Sequence, residues 1–209
     1  MPTPIAILFI TLTLSACSDS TRDTRTSAGQ ELDAQARATV ARLGGTVEAT
    51  STEAGAPLVK VDLHGTAVTD ADVATLVGLD ALRTLDLRLT QVGDAAAEEI
   101  AQLEGLQSLN LFRTRLTDRG FAALMRLDSL DTLLIGGTQV TDASLSQLGG
   151  LTRLRKLSLF DTRITDVGLQ HLIALPSLQV VLIGKSDVSE AGLAAFARAR
   201  PDIRFSEET

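Results

Sequence analysis

Two carboxylates are the first residues in this chain whose type and spacing could do chemistry. Asp62 and Asp86 stand 24 residues apart in matching surroundings, Val-Asp-Leu-His and Leu-Asp-Leu-Arg. On adjacent strands they would lie ~5 Å apart, the separation at which retaining glycosidases hold an acid and a nucleophile. Such a pair needs a pocket that excludes water and drives the two pKa values apart. An open sheet does neither, so Asp62 and Asp86, with His64, Arg88 and Arg113, read as a solvated ion-pair face. Other reactive types are scarce. Cys17 is the single cysteine, and His64 and His171 are the two histidines. No disulfide can close within the chain, and no metal site is expected. Gly136-Gly137 and Gly149-Gly150 lack the spacing and the lysine of a phosphate-binding loop. Neither catalysis nor a cofactor is expected.

The elements that would position these residues come from an aliphatic repeat. Hydrophobic residues make up 44% of the 209-residue chain and aromatics only 3%, all Phe, so Leu, Val, Ile and Ala must form the core. The formal net charge of -7 argues against a nucleic-acid partner, which needs a clustered basic face. Leu58, Leu82, Leu106, Leu130, Leu154 and Leu178 recur every 24 residues. Three residues after each stands Val61, Leu85, Leu109, Leu133, Leu157 or Val181, and two further on Leu63, Leu87, Leu111, Ile135, Leu159 or Ile183. A hydroxyl column follows (Thr66, Thr90, Thr114, Thr138, Thr162, Ser186), then Val68, Val92, Leu116, Val140, Ile164 and Val188.

Alternation of the Leu-x-Leu kind is a short strand with one buried face. Phe121, Leu124 and Leu127 form the stripe of a short helix after it. Neither element buries its apolar side alone, so units must stack, strands on one side and helices on the other. Helices are wider than strands, which curves the stack with the sheet inside. The acidic column Asp70, Asp94, Asp118, Asp142, Asp166 and Glu190 falls at each helix start, where it and the preceding residue (Thr69, Gly93, Thr117, Thr141, Thr165 or Ser189) suit capping and the helix dipole better than a cation-binding ridge. The Thr/Ser column is expected to bond buried backbone groups at the turn of a neighbouring unit.

The unit Leu-x-x-Leu-x-Leu-x-x-Thr-x-(Val/Ile)-Thr-Asp-x-Gly-Leu-x-x-Leu-x-x-Leu resembles the bacterial leucine-rich repeats of secreted and surface proteins, and also the cysteine-containing repeats of eukaryotic substrate receptors. Thr or Ser here takes the place where Asn or Cys commonly stands. The resemblance covers residues 58–200 in six units. It implies an α/β fold, a right-handed curved solenoid with a parallel sheet on the concave face and short helices on the convex face. It also implies a binding module.

Both flanks read as caps. Glu31 to Leu43 fits an amphipathic helix with Leu32, Ala36, Val40 and Leu43 on one face, stopped by Gly44-Gly45 and followed by a strand at 46–50. Residues 30–57 thus form an N-terminal cap, and residues 201–209 a last edge strand and tail. Further upstream, Ile5 to Leu14 is an apolar run too short to span a bilayer but suited to a secretory signal. It ends in Leu14-Ser15-Ala16-Cys17, which is similar to a bacterial lipobox, although Met1-Pro2-Thr3-Pro4 lacks the usual positive charge. That resemblance implies a signal peptide at 1–16, a lipid on Cys17, and a place on the bacterial cell envelope, periplasmic or at the surface. Residues 17–29 would then be the lipidated cysteine and a flexible tether.

Side chains between the core positions of each strand face the concave side. Phe112 and Phe160 should stand two strands apart, ~10 Å, with Gly136 between them and Leu134 beside the gap. That arrangement predicts an open slot with aromatic walls. The candidate partner-binding face is Phe112, Leu134, Gly136, Phe160 and Leu182, with Arg113, Lys156 and Asp161 around it. The partner expected there is a protein or peptide. A self-associating structural protein and a wall-acting hydrolase remain the alternatives.

Overall fold

The computed structural model describes residues 20–52 and 56–206, with side chains from residue 28 onward. The signal segment and Cys17 lie outside these residues. Eight strands form one sheet in chain order: β1 (Thr46–Ala49), β2 (Leu58–Asp62), β3 (Thr84–Asp86), β4 (Ser108–Asn110), β5 (Thr132–Leu134), β6 (Lys156–Ser158), β7 (Val180–Leu182) and β8 (Arg204–Ser206). β1 runs antiparallel to β2, and β2 to β8 are parallel. The parallel register steps by one repeat at each strand, so Lys60, Thr84, Ser108, Thr132, Lys156, Val180 and Arg204 form one rung-to-rung column.

On the opposite side run α2 (Asp70–Val73), α3 (Asp94–Ile100), α4 (Asp118–Leu124), α5 (Asp142–Leu145), α6 (Asp166–His171) and α7 (Glu190–Ala199). The repeated apolar columns are buried throughout, with Leu58, Leu85, Leu109, Leu133, Leu157 and Val181 fully inaccessible. Val188, in the last unit, is only partly buried. The sheet and the helices therefore share one continuous core.

The N-terminal helix α1 (Ser20–Leu43) starts well before Glu31, so the segment read as tether is helical from Ser20. Nothing between Ser20 and Gln30 breaks a helix: there is no proline and one glycine, Gly29. Ala36 and Val40 seat the helix on the first coil. Buried Asp33 accepts the Leu58 amide at 3.0 Å, and Arg37 donates to the Ala56 carbonyl at 2.6 Å. At the other end Phe196 of α7 meets Phe205 edge to face, centroids 5.3 Å apart. Arg200 donates to the carbonyls of Ile173, Leu175 and Leu178 at 3.0, 2.9 and 3.3 Å, closing the last coil.

The hydroxyl column bonds within its own unit, not across to the neighbour. Thr66, Thr90, Thr114, Thr138, Thr162 and Ser186 each donate to the carbonyl three residues back, at 2.5 to 2.8 Å. The chain turns sharply after each strand, which brings that carbonyl nearer than any group of the next coil. The bond between units comes from the acidic column. Asp94 accepts both the amide and the hydroxyl of Thr117, at 2.8 and 2.7 Å. Asp118 does the same with Thr141, Asp142 with Thr165, and Asp166 with Ser189. Asp70 takes the amide of Gly93 alone, at 2.8 Å. Capping is left to the hydroxyls: Thr69, Thr117, Thr141, Thr165 and Ser189 each accept an amide of the helix they begin. The carboxylates thus form a ladder that ties each coil to the next.

The ladder also accounts for glycine in the repeat. A β-carbon at Gly120, Gly168 or Gly192 would strike the carboxylate of Asp94, Asp142 or Asp166. In α5 the same position is Ser144, whose hydroxyl donates to Asp118. Burial pushes the Asp118 carboxyl up, but hydrogen bonds from Ser144 and Thr141 outweigh it and hold the group below the ordinary range. Bonds from the Ser189 hydroxyl and amide do the same for Asp166.

A depressed carboxylate contributes stability above its unfolded pKa of ~3.9 and loses it as pH falls through the lower folded value. Thermal stability is therefore expected to hold near neutrality and fall below pH ~4. Asp118→Asn should lower the melting temperature at pH 7 and flatten that acid decline. Circular dichroism melts at pH 7, 4 and 3 check this, and an unchanged acid limb in the variant contradicts it.

Candidate binding surface on the concave sheet

Outward side chains of β4 to β7 and of the turns after β2, β3 and β4 line a groove of about 440 Å³. Its lining is His64, Arg88, Leu89, Asn110, Phe112, Leu134, Lys156, Ser158 and Leu182. Phe112, Leu134, Lys156 and Leu182 were expected here from the sequence. Leu134, Ser158 and Leu182 are register partners on β5, β6 and β7, so the apolar pair flanks the serine.

The open aromatic slot does not exist. Phe112 and Phe160 tilt together over Gly136, ring centroids 6.4 Å apart at 45°. Phe160 is 8% exposed and faces a second hollow shared with Ile183, Gly184 and Lys185, while Phe112 stays half-buried at the groove. Strand spacing set the backbone separation, but rings on either side of a residue without a side chain lean inward and bury each other. A β-carbon at Gly136 would lie 2.7 Å from the Phe160 carbonyl oxygen and 3.0 Å from the Phe112 ring. Gly136→Ala is expected to cost about 1–2 kcal/mol, through overpacking against backbone. Urea unfolding checks it, and a neutral result would mean that the ring pair is loose.

Arg113 and Asp161 sit beside the groove, not in its lining. They belong to a column one residue past the concave side chains: Gly65, Leu89, Arg113, Gly137, Asp161 and Lys185, all with φ between 54° and 67°. The turn after each strand requires this left-handed backbone, which suits glycine and strains the others. The conformation turns these side chains outward. Arg113 lies over the Phe112 ring at 5.2 Å and reaches Asp161 at 4.0 Å, and Lys185 lies over Phe160 at 5.4 Å. Leu89 is left 50% exposed at the groove rim. Sequence reasoning missed Leu89, Asn110 and Ser158. Glycine at two of six equivalent positions was the available signal for Leu89.

The two halves of the face differ in chemistry. In the first three units an oxygen from the strand accepts the amide two residues on: Asp62 from His64 at 3.0 Å, Asp86 from Arg88 at 3.0 Å, and Asn110 from Phe112 at 3.1 Å. Asp62 also pairs with the His64 ring at 2.7 Å, and Asp86 with Arg88 at 3.5 Å. Burial raises the Asp62 carboxyl, but bonds from His64 prevail and hold it low. A general acid needs the opposite shift. Units four to six carry Leu134, Ser158 and Leu182 at this place, and nothing there takes up the amides of Gly136, Phe160 and Gly184 among the described residues. No cluster of three or more metal-ligating side chains occurs among the described residues.

A leucine-rich-repeat family model matches residues 82–101 and 151–172. An internalin of Listeria monocytogenes is similar over 69% of this chain and 38% of its own, at 24% identity and a TM-score of 0.54. A leucine-rich-repeat protein of Leptospira interrogans is similar over 71% and 37%, at 19% identity and a TM-score of 0.56. The fold is a leucine-rich-repeat solenoid. The ectodomain of the Arabidopsis receptor kinase HAESA shares it over 89% of this chain and 32% of its own, at 19% identity and a TM-score of 0.57. That structure is a complex with a peptide hormone. The solenoid thus spans less than two fifths of each of these three chains. No curated protein matches it.

Proposed function

We propose that the concave sheet of this solenoid is a recognition face for a protein or peptide partner, and that the chain acts by binding and not by catalysis. The observation that carries this reading is the groove of about 440 Å³ in which Phe112, Leu134 and Leu182 remain accessible beside a column that is polar except for Val180. Apolar side chains gathered in a concavity are where binding energy concentrates. A peptide complex of the HAESA ectodomain supports assigning ligand binding to this fold. Cys17 is proposed to carry lipid and to hold the solenoid on a bacterial membrane, with α1 and residues before it as the spacer. Two or more acyl chains make such an anchor stable, where a single one is marginal.

Cross-linking capture from the producing cells tests the recognition reading. Leu134→Glu/Leu182→Glu is the proper comparison, because Phe160 is buried and its replacement would damage the fold. A partner held by the native protein should be lost from the variant by at least about tenfold, as central interface anchors are. Equal recovery refutes the concave face. For the anchor, the mature chain should begin at an acylated Cys17 by intact mass, and Cys17→Ser should leave the membrane fraction.

A further inference from the structure

The groove's own chemistry specifies its occupant more closely, given the recognition reading above. Lys156 stands exposed at the groove and has no ion pair among the described residues, unlike Lys60, which holds Glu48 at 2.7 Å. Arg204, two strands on in the same column, is likewise exposed and unpaired among the described residues. The concave columns of β5 to β8 contain no carboxylate, on a chain whose formal net charge is -7. Ser158 is 3% exposed, yet its hydroxyl lines the groove and has no hydrogen-bond partner among the described residues.

A surface with unpaired cations and a hydroxyl, flanked by leucines, wants oxygen acceptors with apolar neighbours. We propose that units four to six take an extended segment of another protein bearing an aspartate or glutamate between apolar residues. Its carboxylate meets Lys156 and Ser158, and its apolar side chains cover Leu134 and Leu182.

A displayed library of random linear twelve-residue peptides, selected on the full chain, tests this. Selections run in parallel on Lys156→Glu and Leu134→Glu, both exposed or half-exposed sites, with melting curves confirming the fold. The native protein should enrich peptides with Asp or Glu beside Leu, Ile, Val or Phe. A synthetic winner should weaken at least about tenfold on Lys156→Glu and in high salt. The Lys156→Glu selection should shift toward Lys and Arg. Winners without acidic residues that still fail on Leu134→Glu overturn the acidic specificity and leave concave recognition standing. A winner that binds Lys156→Glu as tightly as the native protein also overturns the proposal. Enrichment no better than on a bare support overturns this proposal and peptide recognition together.

Discussion

Gly168→Ala is expected to destabilise the protein, although alanine is the better helix former by about 1 kcal/mol. Gly168 is the third residue of α6, and a β-carbon there would collide with the carboxylate of Asp142 and press on Ile164. Ser144 fits at the equivalent place in α5 because its hydroxyl donates to Asp118, and beside Ala96 in α3 Asp70 holds only the Gly93 amide. Alanine at 168 offers Asp142 no such donor and puts its bonds to the Thr165 amide at 2.9 Å and hydroxyl at 2.6 Å at risk. A hydrogen bond to a charged group contributes about 1.5–3 kcal/mol, so losing one of the two and gaining about 1 kcal/mol of helix propensity leaves a net loss of about 1 kcal/mol. The decisive measurement is a double-mutant cycle by urea unfolding. In an Asp142→Ala background the obstruction is gone, and Gly168→Ala should become neutral or stabilising by up to about 1 kcal/mol. The same sign in both backgrounds would show that the glycine serves something other than the ladder.

Leu133→Ala should destabilise the protein by about 3–4 kcal/mol. Leu133 is fully buried at the middle of the stack, in register with Leu109 on one side and Leu157 on the other. Each coil of a solenoid touches only its neighbours, so a central cavity weakens two interfaces at once. The variant is expected to unfold in two stages, with coils on either side of β5 losing amide protection at different urea concentrations. Hydrogen exchange followed by mass spectrometry reads this directly. A single cooperative transition with a loss under about 1 kcal/mol would mean that the stack relaxes into the cavity.

The fold was legible because one signal repeats. A 24-residue period fixes which side chains point inward, and parallel register follows once the Leu58-to-Leu178 column must align. What escaped were contacts decided by a few tenths of an ångström or by backbone torsion. The hydroxyl of Thr138 had two candidate partners, and only the tightness of the turn chose Ile135. The carboxylate of Asp118 had its own helix or the next coil to serve, and nothing in the local pattern says that Thr141 is nearer than its own amides. For the site, Phe112, Leu134, Lys156 and Leu182 were found because alternation along a strand gives the facing. The slot between the rings was wrong because strand spacing constrains backbones, while χ angles remain free to close a gap above Gly136. Ser158 carries no sequence mark at all; it matters because it lies between Leu134 and Leu182 at the groove.

The aspartate ladder has a consequence for how such a gene can change. Asp94, Asp118, Asp142 and Asp166 each present a carboxylate forward to the hydroxyl and amide of the next unit, so these units fit one another at the junction. Tandem duplication of one unit, or of the two-unit block that alternates Phe112 and Phe160 with Gly136 and Gly184, would insert without redesigning a contact. Every inserted copy lengthens the concave face by ~4.8 Å. Copy number is therefore open to selection separately from stability, and the span of the ligand can be lengthened by inheritance of whole words, not by point substitution.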